Sequence, residues 1–174
     1  MRPIRTFGHG TLAADEIVEV LRTGGIEVIA DVRRYPGSRR HPHVAREAME
    51  VWLPEAGIEY RWIPELGGRR RPRPDSPHVA WRVAQFRAYA DHMESEEFAA
   101  GLTTLADMAA DRQVAVMCSE AVWWRCHRRL VADHLVLVER REVEHLFHDG
   151  RLVPHDPLAE AREDEGRVVY DLVG

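Results

Sequence analysis

Ile26-Glu-Val-Ile-Ala-Asp-Val32 is a short run dominated by β-branched and other apolar residues, with little alternation. That pattern suits a strand buried on both faces, as in a parallel sheet covered by helices on each side. Upstream, Ile17, Val20 and Leu21 recur at helical spacing, and Gly24-Gly25 ends the helix they predict. Before that, Ile4 to Phe7 forms a short apolar-alternating entry that closes in Gly8-His9-Gly10-Thr11, where two glycines permit a tight turn. Strand, helix and strand within about 30 residues make a βαβ unit.

The same reading extends through the chain. Arg33-Arg-Tyr-Pro-Gly-Ser-Arg-Arg-His-Pro42 is a turn-rich loop, and a helix is expected from about Val44 to Ala56, with Pro54 ending or kinking it near Leu53. Ile58, Tyr60 and Trp62 alternate with Glu59 and Arg61 as a third strand. Leu66 to His78 is crowded with arginine and proline and reads as a long loop, mobile or ordered over a site. Val79, Val83, Phe86 and Ala90 predict a helix. Ser95 caps the next, which buries Phe98, Leu102, Leu105 and Ala109. Val114 to Met117 is the fourth buried strand, Leu130, Val131 and Leu135 mark its following helix, and Val143 to Phe147 is a weaker fifth strand.

This order implies a single-domain, three-layer Rossmann-like α/β fold with a mostly parallel sheet of about five strands and helices on both faces. The domain is expected over residues 1–155, followed by an acidic tail, 156–174, in which Arg167 to Val173 is a candidate edge strand or partner contact.

Composition bounds the function. At 45% hydrophobic and 30% charged, 174 residues suit one globular core rather than a disordered chain. No run approaches the ~18 apolar residues of a membrane span, and the N-terminus lacks a signal-peptide core, so a cytoplasmic location without membrane contact is expected. Two cysteines there are expected to be reduced. A net charge of −5 argues against coating nucleic acid non-specifically. The positive charge is nonetheless clustered in loops, at Arg33-Arg34, Arg39-Arg40, Arg69-Arg70-Arg71 and Arg125 with Arg128-Arg129.

Four groups fall at the carboxyl ends of the predicted strands, where open α/β sheets bind ligands. They are the Gly8–Thr11 turn, Asp31-Val-Arg33, Glu65-Leu-Gly-Gly-Arg69 and Cys118-Ser-Glu120-Ala-Val-Trp-Trp-Arg125-Cys126-His127-Arg128. Cys118 closes a strand before a loop and a helix, a place where N–H groups and nearby arginines stabilise a thiolate. It reads as a nucleophile or ligand with Glu120 as general acid/base and His127 beside them. The competing structural reading makes Cys118 a small core residue. Cys126 and His127, being adjacent, are expected to point apart on a helix. Cys118 and Cys126 can meet across the loop as a disulfide or as two metal ligands. Their C-x₇-C spacing is not the closely paired pattern of structural zinc, so no metal ligands are assigned and no cofactor is read.

Arg33, Arg69, Arg125 and Arg128 are candidates to hold phosphate, and Trp123 to stack on a base. Asp31 and His9 are further candidates for the substrate side. Each has a structural alternative: an aspartate at a strand end usually bonds loop N–H groups, and a lone histidine is more often structural.

The sequence resembles the domain-of-unknown-function 488 family. The resemblance rests on Thr6-Phe7-Gly8-His9, Asp31-Val32-Arg33 with Pro36 and Ser38, and Glu65-Leu66-Gly67-Gly68. It also rests on Phe86-Arg87-x-Tyr89-Ala90, and on Cys118-x-Glu120 followed by Cys126-His127-Arg128. Ser38, within the matched positions, is a further candidate for the substrate side, and some relatives carry a loose DNA-repair label. Gly10 stands where a serine is common, and Val44 where an aromatic residue is usual. A looser similarity to rhodanese-like domains rests on the Asp-Val-Arg strand end and the cysteine-started loop. Ser119 to Arg125 lacks the glycines of that family's anion cradle.

The expected function is therefore a small enzyme acting on an anionic substrate, a nucleotide or nucleic-acid base, through a Cys/Glu/Arg site. The alternatives are cysteine-based thiol or sulfur-transfer chemistry, and a non-enzymatic metal- or nucleic-acid-binding module. The arginine-rich loops make an anionic small molecule or nucleic acid the expected partner, while oligomeric state is not legible.

Overall fold

The computed structural model describes residues 2–171. Five parallel strands and one antiparallel strand form a single sheet in the order β3-β2-β4-β1-β5-β6. The strands are β1 (Ile4–Gly8), β2 (Val28–Asp31), β3 (Glu59–Trp62), β4 (Val114–Cys118), β5 (Val143–Leu146) and β6 (Leu152–Pro154). The helices are α1 (Ala14–Thr23), α2 (Arg46–Glu55), α3 (Ala84–His92), α4 (Glu96–Met108) and α5 (Arg128–Leu137). No helix is long and apolar enough to cross a membrane among the described residues.

Side chains alternate across each strand and divide the core in two. Ile29, Ala115, Met117 and Phe7 pack with Ile17 and Leu21 of α1 and Met49 and Leu53 of α2. Val28, Ala30, Val114, Val116 and Cys118 face the opposite way, toward α3, α4 and α5. This is the expected three-layer architecture. It also fixes which side of the sheet Cys118 addresses.

Local chemistry explains the element ends. Gly25 takes φ +61° after α1, a left-handed conformation that glycine adopts freely. Ser95 Oγ accepts the Phe98 N–H at the start of α4. Helix α2 runs one residue past Pro54, whose missing N–H therefore falls in the last turn and produces no earlier break.

Two expectations differ from the structure. Val79 and Val83 are exposed, and α3 begins only at Ala84; Trp81 is the buried residue of that stretch, packed on Phe86 and Tyr170. The C-terminal residues do not extend the main sheet. β7 (Ala161–Asp164) and β8 (Arg167–Tyr170) form a separate antiparallel hairpin. The fully buried Tyr170 donates its hydroxyl to Asp133 of α5, and its carbonyl accepts from Ala80 N–H. The rest of the candidate edge strand, Leu172 and Val173, lies outside the described residues.

The arginine- and proline-rich loop after β3 is tied down. Arg70 donates to Glu97 and to the Gly67 carbonyl, Arg73 N–H donates to Asp91, and the Arg73 guanidinium reaches Glu94. It is an ordered wall beside the carboxyl rim of β2 and β4.

Candidate functional site

β1, β4 and β2 end side by side, with Gly8 opposite Cys118 and Asp31 opposite Met117. Their loops meet at the carboxyl rim. Gly8 permits this approach, because a side chain there would overlap the Glu120 carbonyl and the Arg128 guanidinium. On the α3–α5 side the rim encloses a cavity of about 240 Å³. Cys118, Cys126 and His127 form its floor, Phe86 and Tyr89 one wall, and Arg34, Arg69 and Arg125 line its mouth. Arg33, Tyr35, Arg69, Ser119 and Glu120 border both this cavity and a second, more open cleft that includes His9 and Ser38.

The two cysteines are free, and each is more than nine-tenths buried. Cys118 Sγ, Cys126 Sγ and one ring nitrogen of His127 all lie within 4.8 Å of one another. Adjacency on a helix would have sent Cys126 and His127 apart, but α5 starts only at Arg128. Cys126 is extended (φ −121°, ψ 150°), so its sulfur and the next imidazole converge, with Sγ and Nδ1 3.7 Å apart. His127 Nε2 lies 3.2 Å from the Val32 carbonyl, which can only accept, so that nitrogen carries a proton and Nδ1 is the ring nitrogen turned to Cys126. Tyr89 packs on the ring with centroids 4.9 Å apart.

The thiols are not equivalent. Hydrogen bonding to Cys126, with burial, pushes Cys118 up to about 12. Burial also disfavours the Cys126 thiolate, but the hydrogen bond from Cys118 and the adjacent Arg128 outweigh it, bringing Cys126 down to about 6. Arg128 Nε donates to Cys126 Sγ at 3.4 Å. Of the pair, Cys126 is therefore the thiol that ionises more readily, although the sequence places it behind Cys118 in the loop.

The remaining predicted residues divide into accessible and committed groups. Arg69 and Arg125 are exposed at the cavity mouth. Glu120 is exposed there too, with Oε1 accepting the Val122 N–H at 3.0 Å. Ser38 borders the second cleft, its Oγ accepting the His41 N–H.

Asp31 is fully buried and saturated, bound by the Arg33 fork and by Tyr60 O–H at 2.5 Å, so it cannot meet a substrate. Arg33 is largely used by Asp31 and the Val44 carbonyl and presents only an edge to the cavity. His9 is buried beside Arg33, and burial with that charge lowers it to about 4.

Arg128 is 1% exposed and corrects the expectation of a phosphate ligand; it donates to the Glu120 carbonyl, Thr6 and Cys126. Trp123 does not await a base. It stacks on His145 at 3.9 Å with rings 5° from parallel. The exposed aromatic at the site is Tyr35, 63% accessible and bordering both hollows. Its place beside Arg33-Arg34 was the available signal.

Three N–H groups of the cysteine loop are already committed. The N–H groups of Val122, Arg125 and Cys126 are bonded within the loop itself, to Glu120 Oε1 and to the Val122 and Trp123 carbonyls.

A family model described as "Domain of unknown function DUF488" matches residues 13–135, well over half of the chain. No curated protein and no solved structure matches it.

Proposed function

The chain belongs to the DUF488 family, and from the site's own residues we propose that it is an enzyme acting on an anionic substrate, a nucleotide or a nucleic-acid base. One observation carries this reading: a buried cluster of two sulfurs and an imidazole floors a cavity whose mouth holds unneutralised guanidinium groups. Among the described residues, neither Arg69 nor Arg125 has a carboxylate partner. Unpaired arginine forks at a concave mouth suit phosphate oxygens. The exposed face of Tyr35 suits a base ring.

In this reading Arg69 and Arg125 hold the anionic group, and Tyr35 covers the ring at the junction of the two hollows. The reacting end enters toward Cys126, and Glu120 at the mouth transfers a proton between substrate and solvent. The cavity accommodates a small molecule or an extruded base, and the open cleft beyond it leaves room for a longer anionic chain.

The test is a thermal-shift panel of nucleoside monophosphates, free bases and inorganic phosphate, run on the wild type and on Arg69→Ala/Arg125→Ala. The reading expects at least one phosphorylated member to raise the melting temperature in the wild type and not in the double variant. A panel without any shift, or an equal shift in both proteins, contradicts it.

A second reading is favoured by the closeness of the two sulfurs, of which Cys126 ionises more readily. A peroxide would oxidise Cys126 S⁻ to the sulfenic acid and release hydroxide. The Cys118 S–H would then close the disulfide and release water. A loss of about 2 Da in intact mass after mild peroxide supports it, and unchanged free thiols count against it.

A further inference from the structure

We infer that Cys118, Cys126 and His127 bind one Zn²⁺ ion at the cavity floor, with a coordination position left open toward the arginine-lined mouth. The three donors come from two elements, the end of β4 and the residues entering α5, and lie within 4.8 Å of one another. Zn–S bonds of about 2.3 Å and Zn–N bonds of about 2.0 Å place tetrahedral ligand atoms roughly 3.5–3.8 Å apart. Cys126 Sγ and His127 Nδ1 are 3.7 Å apart.

The surroundings match what a metal-bound imidazole and thiolate require. A ligating histidine directs its other N–H to a fixed acceptor, and His127 Nε2 faces the Val32 carbonyl. The ring cannot swing away, because Tyr89 packs on it and the backbone at Gly68 passes so close that a Cβ there would lie 3.1 Å from Nδ1. Arg128 supplies an N–H to Cys126 Sγ, the outer hydrogen bond typical of a bound thiolate.

Charge and donor softness select the ion. Two thiolates and Zn²⁺ sum to zero, so the neighbouring guanidinium groups do not oppose binding. A set of two sulfurs and one nitrogen favours zinc over magnesium or calcium, which take oxygen ligands. On coordination each cysteine S–H is replaced by an S–Zn bond and its proton leaves to solvent.

Three protein ligands with a fourth position facing a cavity is the arrangement of a catalytic zinc site. The role of that open position rests on the proposed function; the binding of the ion does not. There the metal would polarise an anionic oxygen or a water molecule held at the mouth, with Glu120 nearby to exchange the proton.

The test uses the full chain without an affinity tag, grown with added zinc, desalted, and analysed for metal and for the spectrum after replacement by Co²⁺. The inference expects one zinc per chain and a near-ultraviolet sulfur-to-cobalt absorption that weakens in Cys118→Ser and in Cys126→Ser and is lost when both are replaced. Should a cysteine variant fail to fold, His127→Gln carries the test. Its ring is only partly buried, and its zinc affinity should fall by more than the roughly 10–100-fold that loss of an outer partner costs.

A protein without stoichiometric zinc overturns the inference, as does a cobalt spectrum lacking the sulfur band or an unchanged affinity in His127→Gln. Nucleotide-induced stabilisation that persists in zinc-free protein would leave the proposed function standing while the metal inference falls. Zinc binding without any arginine-dependent anion binding would do the reverse.

Discussion

Two clusters of similar chemistry lie on either side of Arg128, and they differ in whether their polar atoms are used up. On one side runs a buried line. Arg128 Nη1 donates to Thr6, Thr6 O–H to His145 Nδ1 at 2.7 Å, His145 Nε2 to His155 Nδ1 at 2.9 Å, and His155 Nε2 to Asp133 at 2.8 Å. The distances let every donor point the same way along this line, with burial holding His145 neutral. Asp133 is completed by Tyr170 O–H and Leu158 N–H, and Trp123 covers the line by stacking on His145.

On the other side are Cys118, Cys126 and His127, where Nδ1 and two sulfurs face one another and a cavity. The contrast teaches that residue type does not mark a site. Histidine and aspartate that satisfy each other hold the fold, and lone pairs left converging on a cavity are what a ligand can use.

The sharpest way to break this comparison is to open the closed cluster. Asp133→Ala leaves His155, Tyr170 and Leu158 without their acceptor and Arg128 without its distant counter-charge. It should cost about 3–5 kcal/mol, read from the urea midpoint, while the folded fraction keeps its zinc content. A small cost would show that the line is not the structural element described.

Acid should act next most strongly, and through the closed networks. Burial, His155 and Arg128 lower His145 to about 3, and burial with Arg33 lowers His9 to about 4. The unfolded chain protonates both near 6.5, so between that value and the folded ones it binds more protons, and stability rises with pH. Taking the protein from pH 7 to 5 should remove roughly 1–2 kcal/mol per ring. Urea titrations at the two pH values measure it, and equal midpoints would contradict the neutral assignment.

Gly68→Ala probes the open cluster without touching a donor. The added methyl crowds His127 Nδ1 and should weaken zinc binding by about 10-fold, within the range for outer-shell changes, by competition titration. Unchanged affinity would mean that His127 is not held in place for a metal. Smallest of all, Arg125→Ala removes an exposed, unpaired charge and should alter stability by less than about 0.5 kcal/mol. A larger loss would make Arg125 part of the scaffold.

Much of the fold was legible because it is written in local patterns. The βαβ entry from Ile4 to Val32, the capped α4 and the buried β4 each carry their period on the page, and the family resemblance agrees with the match over residues 13–135. The site was legible only as a neighbourhood. Cys118, Glu120, His127, Arg69 and Arg125 do border one cavity.

What sequence did not reveal was the division of labour. Treating Cys126 and His127 as helical residues separated two donors that the extended backbone at Cys126 brings together. The stack of Trp123 on His145 and the bond from His155 to Asp133 join segments 22 residues apart, and pairings of that kind leave no local period. Arg128 looked like one more rim arginine, and only its burial shows that it belongs to the interior.

The central claim is that the cysteine floor and the arginine mouth form one site. The direct measurement is the rate at which iodoacetamide labels Cys118 and Cys126 in metal-free protein, with and without the phosphorylated panel compound that stabilises it most. The account predicts that saturating compound slows labelling of the wild type by at least about 10-fold, since occupied protein is shielded, and leaves Arg69→Ala/Arg125→Ala unprotected. Equal labelling rates with and without the compound in the wild type, despite a thermal shift, would place the anion elsewhere and contradict it.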